Sequence, residues 1–128
     1  MDGTGAGSGD DHSGRQPIAL TAAIVGKKWH PAIISKLLSS GPLGFNELKG
    51  RLDGISDKVQ SESLDDLEER GIVERTVIDD KPVRVEYSLT PLGEQLELVI
   101  TAMEQWGERY LSAIEATDGV PADPGHGE

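Results

Sequence analysis

The sequence predicts a mainly helical α+β domain, and three features of the chain lead to that prediction. Apolar residues recur at the spacing of an amphipathic helix in several segments of the first half and again near the C-terminal end. Two adjacent segments, 72–78 and 83–89, are instead rich in β-branched residues. Short groups of Gly, Pro and Asp at 41–42, 53–54 and 79–82 separate these segments, and turns are expected there.

Polar, glycine-rich stretches flank the predicted domain at both ends. Residues 1–15 contain five Gly and three Asp with almost no large apolar side chain, so we expect a disordered tail there. Gly, Pro and Asp return in residues 117–128, which we interpret as a second disordered tail. The domain therefore spans residues 16–116, a length that allows one buried core.

The chain is acidic, with a formal net charge of -11 and a sequence pI of about 4.6. Residues 16–116 carry 11 basic and 17 acidic residues, so the balance of the domain itself is -6. Nucleic-acid-binding domains are usually basic, and the composition therefore argues against a DNA partner. An acid-rich surface is also typical of proteins in a cytoplasm of molar salt, where charge maintains solubility, and a halophilic source is our hypothesis.

The absence of cysteine excludes disulfides, thiolate catalysis and Cys-based metal sites. No apolar run approaches the roughly 18 residues that cross a membrane, and no signal peptide is visible, so we expect a cytoplasmic protein without a membrane partner. His30 is the one histidine of residues 16–116, and we interpret it as structural. The carboxylate pairs at 65–66 and 68–69 have no companion histidine or phosphate loop, so catalysis, a cofactor and a metal site are not expected.

Three helices are predicted in the first half of the domain. Segment 17–25 begins with a proline, which is favourable in the first turn of a helix. Segment 28–39 tolerates Pro31 near its start, and segment 45–52 makes two turns with one apolar face. The apolar residues at helical spacing in the second segment are Trp29, Ile33, Ile34, Leu37 and Leu38.

A longer helix and a β-hairpin follow. Ser56 is a good N-cap for a helix that runs to about Arg70 and stops at Gly71. The alternating apolar residues of the second strand, which predict its core face, are Val83, Val85, Tyr87 and Leu89. A short helix, a turn, a longer helix and a ribbon in this order predict a winged helix-turn-helix with a two-stranded wing.

The last predicted helix begins at Thr90-Pro91 and has the clearest periodicity of the chain. Its apolar seam consists of Leu92, Leu96, Val99, Met103, Trp106 and Tyr110, at a/d spacing over nearly three heptads. A helix packed only on its own small domain needs less apolar surface, so we predict a C-terminal dimerisation helix. The predicted homodimer interface consists of Leu96, Val99, Met103, Trp106 and Tyr110, and an aromatic pocket there is a place for an unknown small-molecule effector. A broad core face within one chain is the alternative.

Several short sequence motifs, in this order along the chain, resemble those of the HxlR-type transcriptional regulators. They are Gly26-Lys27-Lys28-Trp29, Phe45-Asn46-Glu47-Leu48, residues 54–59, Gly71-Ile72-Val73-Glu74-Arg75, residues 82–90 and Trp106-Gly107. The similarity extends from about Pro17 to Gly107. It implies a homodimeric transcriptional regulator that binds double-stranded DNA sequence-specifically, with helix 56–70 as the recognition helix.

Three features depart from the family pattern. Gln16 stands where the family often has a redox-sensing cysteine, and Gln60 stands where it often has an apolar residue. Gln60 falls on the inner face of the helix, where it reaches the core rim or bonds a neighbouring backbone group. The outer face carries Glu62, Asp65 and Glu69, whose carboxylates repel phosphates. A winged-helix protein-interaction module that has lost DNA binding is therefore the alternative function.

The predicted DNA-binding residues lie at a helix start, on the recognition helix and on the wing. They are Lys28, Lys58, Ser61, Glu62, Asp65, Lys81 and Arg84. The cations are expected to meet phosphates, and Arg84 also has access to a minor groove. Ser61 and Glu62 lie near the start of the recognition helix and are expected to meet base edges, since a carboxylate accepts a hydrogen bond from cytosine N4.

Overall fold

The computed structural model describes residues 16–117 of the chain, which form helices around one core with an antiparallel sheet beside them. The elements are α1 (Pro17–Val25), α2 (His30–Ser40), β1 (Leu43–Gly44), α3 (Phe45–Gly50), α4 (Asp57–Glu69), β2 (Val73–Asp80), β3 (Val83–Leu89), α5 (Pro91–Glu94) and α6 (Glu97–Ala116). Apart from Thr117, the two predicted tails lie outside the described residues.

The core lies where the inner faces of α2 and α4 meet the sheet. Ile33 and Ile34 of α2 and Leu64 and Leu67 of α4 are completely buried, as their helical spacing predicts. Helix α1 has the predicted bounds. Helix α2 begins two residues later than predicted, because Trp29 takes the N-cap position and leaves the proline in the first turn.

Helices α3 and α4 form the helix-turn-helix, and local hydrogen bonds close both ends of α4. The backbone N–H of Val59 donates to Ser56 Oγ at 3.1 Å, which makes Ser56 the predicted N-cap. Gly54 in the turn has φ +90°, and Gly71 after the helix has φ +78°. Both lie in the left-handed region that glycine adopts without strain, so the predicted turn and helix stop are confirmed.

Strands β2 and β3 form the predicted hairpin, and β1 adds a third strand, so that the order is β1-β3-β2. Strand β1 was not predicted, because two residues are too few to show alternation. The predicted core face of β3 is wrong at Val83, which is 68% exposed, whereas Tyr87 is buried. Val73 is the one buried residue of β2, so the outer half of the hairpin, which includes Val83, extends away from the core.

The predicted last helix is interrupted, so the prediction of one continuous helix from Pro91 is wrong. The N–H groups of Gln95 and Leu96 donate to carbonyls three residues earlier, at 3.2 and 3.0 Å, and form a tight turn between α5 and α6. Leu92 therefore lies on α5 and does not continue the seam of α6. Along residues 16–117, no helix combines the length and the apolar character needed to cross a bilayer.

Candidate nucleic-acid and dimer interfaces

The inner face of α4 attaches the recognition helix to the domain. Gln60 is completely buried, and its Nε2 donates to the carbonyl oxygen of Phe45 at 2.8 Å. This bond joins α4 to the start of α3, the two helices of the helix-turn-helix. The sequence prediction that Gln60 lies on the inner face and bonds a backbone group is confirmed.

The outer face of α4 is entirely polar and exposed. The predicted DNA-binding residues on it are Lys58, Ser61, Glu62 and Asp65, and all four are exposed. Glu69 continues the same face toward the C-terminal end of the helix. The structure therefore brings these residues together on one surface, and their contact with DNA stays a prediction.

The wing carries the other two predicted cations. Lys81 lies in the turn between β2 and β3, and Arg84 lies on β3 opposite Asp79 in the strand register. Both side chains are exposed. The backbone N–H of Lys81 donates to Asp79 Oδ1 at 3.2 Å, which orders the turn. Asp79 and Asp80 thus accompany the two cations at the tip, so the wing is less basic than Lys81 and Arg84 alone suggest.

Lys28 lies just before α2, beside the outer face of α4. Its ammonium nitrogen is 5.8 Å from the centre of the Trp29 ring, a distance that allows a cation–π contact. An open cleft lined by Lys28, Trp29, Val59 and Glu62 connects this segment with α4. The structure thus places Lys28 near the first turns of the recognition helix.

The sequence analysis missed a polar network that ties α4 to α2. His30 is buried, and its Nε2 lies 2.8 Å from Asp66 Oδ2 on α4. Arg70 Nε donates to the same oxygen at 2.8 Å, a local ion pair of α4. Because a carboxylate only accepts, His30 donates from Nε2, and its buried Nδ1 has no hydrogen-bond partner among the described residues.

This network changes the electrostatics of Asp66. The hydrogen bond from His30 is the main cause that holds the pKa of the Asp66 carboxyl below its usual value. Partial burial opposes the lowering of the pKa, and the neighbouring Arg70 guanidinium reinforces it. The sequence shows two adjacent acids at 65–66, but only the three-dimensional fold brings the histidine of another helix to one of them.

Helix α6 presents an apolar face that the described residues leave uncovered. Leu98 is 81% exposed and Trp106 is 63% exposed, while Met103 and Tyr110 are also exposed. The rings of Trp106 and Tyr110 stack with their centres 5.2 Å apart. Of the predicted dimer-interface residues, Leu96 differs, because it is half-buried and packs against the domain core. Val99 is half-buried on the side of Leu98.

Helix α1 also exposes apolar side chains within residues 16–117, although Ile24 packs partly against the core. None of its residues is buried, and Ile18 is 86% exposed. Such exposed apolar surface on two helices is unusual for a small monomer and typical of an interface. Between residues 16 and 117, no group of three or more His, Asp or Glu side chains is placed to hold a metal ion.

Comparison with known proteins identifies the family of this architecture. The family model described as HxlR-like helix-turn-helix matches residues 24–115. The HTH-type transcriptional regulator YdeP of Bacillus subtilis is 37% identical over 113 residues, which are 88% of this chain and 87% of YdeP. The HTH-type transcriptional regulator YodB of the same organism is 38% identical over 88 residues, 69% of this chain and 78% of YodB.

Two solved structures share the fold closely. The redox regulator HypR in its reduced form superposes with a TM-score of 0.73 at 33% identity, covering 79% of this chain and 99% of HypR. The reduced form of YodB superposes with a TM-score of 0.65 at 36% identity, covering 74% of this chain and 93% of YodB.

Proposed function

This chain belongs to the HxlR-like helix-turn-helix family and is a DNA-binding transcriptional regulator, and we propose that it acts as a two-fold homodimer on an inverted repeat. The observation that supports this mode of binding best is the division of α4 into a buried inner face and an exposed polar outer face. In helix-turn-helix proteins, the start of the second helix contacts base edges in the major groove. Lys58, Ser61 and Glu62 occupy that position here.

The wing and the start of α2 complete the proposed contact with DNA. Arg84 and Lys81 extend from the hairpin, and Lys28 lies beside the first turns of α4. Cations at the edges of a recognition helix meet phosphates and fix the register of the protein on the duplex. Half-site centres about 10 base pairs apart are expected, because the two recognition helices of such a dimer enter successive major grooves.

The apolar face of α6 supports the homodimer. Leu98, Met103, Trp106 and Tyr110 form a continuous exposed strip, and a two-fold axis brings the same strip of a second copy against it. Ile18 of α1 is a further exposed apolar residue that a partner is expected to cover. An aromatic pocket beside this strip, near Trp106, is where we propose that an unknown small-molecule effector binds.

Regulation by thiol oxidation is not part of this proposal. HypR is described as a redox regulator, and YodB has been solved after diamide treatment. This chain contains no cysteine, so it has no thiol that such oxidants modify.

We place its activity in the cytoplasm, where DNA is accessible.

The acidic outer face predicts an unusual response to salt. Ordinary basic proteins lose DNA affinity steeply as salt rises, because binding releases counterions. Here salt also screens the repulsion between phosphates and the carboxylates of Glu62, Asp65 and Glu69. The dependence of affinity on KCl is therefore expected to be shallow or to pass through a maximum at high concentration.

Selection of bound sequences from random DNA, followed by titrations from about 0.1 to 2 M KCl, tests the proposal. The expected result is an inverted repeat bound by a dimer with a shallow salt slope. Glu69→Gln should raise affinity at low salt, whereas the matched change Glu108→Gln on the polar side of α6 should not. A dimer without sequence-selective binding at any salt concentration would favour the protein-interaction module instead.

A further inference from the structure

The chain enters its last helices through a joint built on the end of α4. The N–H of Thr90 donates to the carbonyl of Ile72 at 3.0 Å, and its hydroxyl donates to the carbonyl of Gly71 at 2.6 Å. The same hydroxyl oxygen accepts from the N–H of Gly93 at 3.0 Å. One side chain therefore bonds both the glycine that follows α4 and the helix that leads into α6.

Gly93 brings the backbone of α5 against Ile72 at this joint. A Cβ built on residue 93 would lie 2.2 Å from the carbonyl oxygen of Ile72 and 3.2 Å from its Cγ2. Both residues are buried, so neither segment has open space to move into. Glycine is unfavourable inside a helix, and the close approach to Ile72 is the structural reason that only glycine fits.

Ile72 is in turn part of the cap of α4. The N–H of Gly71 donates to Glu68 at 3.0 Å, and the N–H of Ile72 donates to Leu67 at 2.9 Å. This pair of bonds is a Schellman motif, and the buried side chains of Leu67 and Ile72 supply the apolar contact that accompanies it. The carbonyl that Gly93 and Thr90 contact is thus held rigidly to the recognition helix.

The other side of the joint leads directly into the proposed dimer helix. Gln95 and Leu96 form one hydrogen-bonded turn after α5, and α6 begins at Glu97. Consecutive hydrogen-bonded turns therefore connect the cap of α4 with α6. Helix α6 is held in place at this joint, through the contact of α5 with Ile72, and by its packing on α2, where Ile100 is buried.

We propose that Gly93 and Thr90 are positioning residues that determine the half-site spacing accepted by the homodimer. This inference rests on the proposed homodimer on an inverted repeat. When two chains meet through α6, the angle between α4 and α6 determines the distance between their recognition helices. Because that distance matches the half-site spacing, a change at the joint alters spacing preference without changing any DNA-facing residue or the apolar face of α6.

The test measures binding of the full chain to duplexes that carry the selected half-site as inverted repeats at centre-to-centre spacings of about 8 to 13 base pairs. Gly93→Ala is expected to move the preferred spacing, or to reduce the preference for it about tenfold, with little change in affinity for a single half-site. Gly50→Ala is the matched control. It adds the same methyl group to a helical glycine with no atom within 4 Å of the new Cβ, and should keep the wild-type spacing.

A second pair of variants keeps the test decisive if Gly93→Ala does not fold. Thr90→Val preserves the shape of the side chain but leaves the Gly71 carbonyl and the Gly93 N–H without the hydroxyl, whereas Thr90→Ser retains it. Thr90→Val should shift the preferred half-site spacing, whereas Thr90→Ser should keep the wild-type spacing. A simple loss of stability lowers affinity at every spacing and does not move the optimum.

Two results separate this inference from the function on which it rests. If folded Gly93→Ala and Thr90→Val both keep the wild-type optimum, the joint does not determine spacing, and the homodimer proposal stands. If the wild-type chain is monomeric on DNA or binds all spacings equally, the inference is overturned, and a monomer also overturns the proposed homodimer.

Discussion

Helices α4 and α6 differ in how much of their apolar surface their own chain covers. On α4, the inner residues Leu64 and Leu67 are completely buried, and the opposite face is polar. Helix α6 is longer, yet Ile100 is its one buried residue, and large side chains such as Leu98 and Trp106 remain mostly exposed. Among residues 16–117, the apolar face of α4 is therefore covered, whereas most of the apolar face of α6 is exposed.

This difference shows what amphipathic periodicity can and cannot decide. Both helices have a clear apolar stripe, but the stripe does not say whether the covering surface belongs to the same chain. Helix α2, helix α4 and the sheet fill most of the core of this small domain. Helix α6 packs on that core through Ile100 and the half-buried Leu96. The remaining stripe is available to a partner.

The largest expected effect is on stability, and it comes from shortening a leucine of α4 but not a leucine of α6. Leu67→Ala on α4 should lower the free energy of unfolding by about 2–5 kcal/mol, because it leaves a cavity in the core. Leu98→Ala on α6 should change it little when urea unfolding is measured at a protein concentration that favours the monomer. Similar losses for both variants would mean that α6 is already covered within its own chain.

The next effect concerns the dimer. Trp106→Ala should weaken dimerisation by roughly 2 kcal/mol or more, about thirtyfold in the dissociation constant, because it removes the largest side chain of the exposed strip. Glu108→Ala shortens a side chain on the polar side of the same helix and should leave dimerisation unchanged. Light scattering over a concentration series distinguishes the two variants. A wild-type chain that is monomeric at micromolar concentration would contradict the prediction.

The polar anchor of α4 makes a smaller and pH-dependent contribution. Asp66→Asn should lower the free energy of unfolding at neutral pH by about 1 kcal/mol, since it weakens hydrogen bonds to an ionised, partly exposed carboxylate. The pKa of Asp66 is lowered in the folded state, so the unfolded state binds its proton more readily. The stabilisation is thus complete above the ordinary carboxyl pKa of about 4 and is lost as pH falls below it.

Urea unfolding at neutral and acidic pH tests whether the stabilisation by Asp66 is lost on acidification. The difference in the free energy of unfolding between wild type and Asp66→Asn should decrease toward pH 3. Asp65→Asn is the matched control, because the adjacent carboxyl is exposed on the outer face. A difference that grows on acidification would show that the bond to His30 does not favour the ionised form of Asp66.

Local signals predicted most of the fold. Ser56 and Gly71 marked both ends of α4, and the alternating residues of β3 marked a strand. The apolar side chain of Val83 and its place in the alternating pattern predict a core position, but the residue lies in the exposed outer half of the hairpin. The break before α6 is a tight turn at Gln95 and Leu96, which no periodicity reveals.

The candidate site was predicted to a similar extent. The helical wheel placed Gln60 inside and Glu62 outside, because a helix of known phase determines both faces. The bond between His30 and Asp66 was not predicted, since 36 residues separate them and the turns between fix their distance. Leu96 is half-buried against the domain core, and its place in the dimer interface stays a prediction, like that of the other interface residues.

The smallest expected effects distinguish two parts of the proposed DNA surface. Arg84→Ala on the wing should weaken binding to all sequences and reduce the salt slope by about 0.9, because a wing cation that meets one phosphate releases about one counterion. Ser61→Ala on α4 should leave the slope unchanged and alter base preference at one position by about 1 kcal/mol. Titrations of both variants against the selected operator and a scrambled duplex provide the measurement. If Ser61→Ala weakened both duplexes equally, the first turns of α4 would be contacting backbone, and base recognition would have to come from another part of the surface.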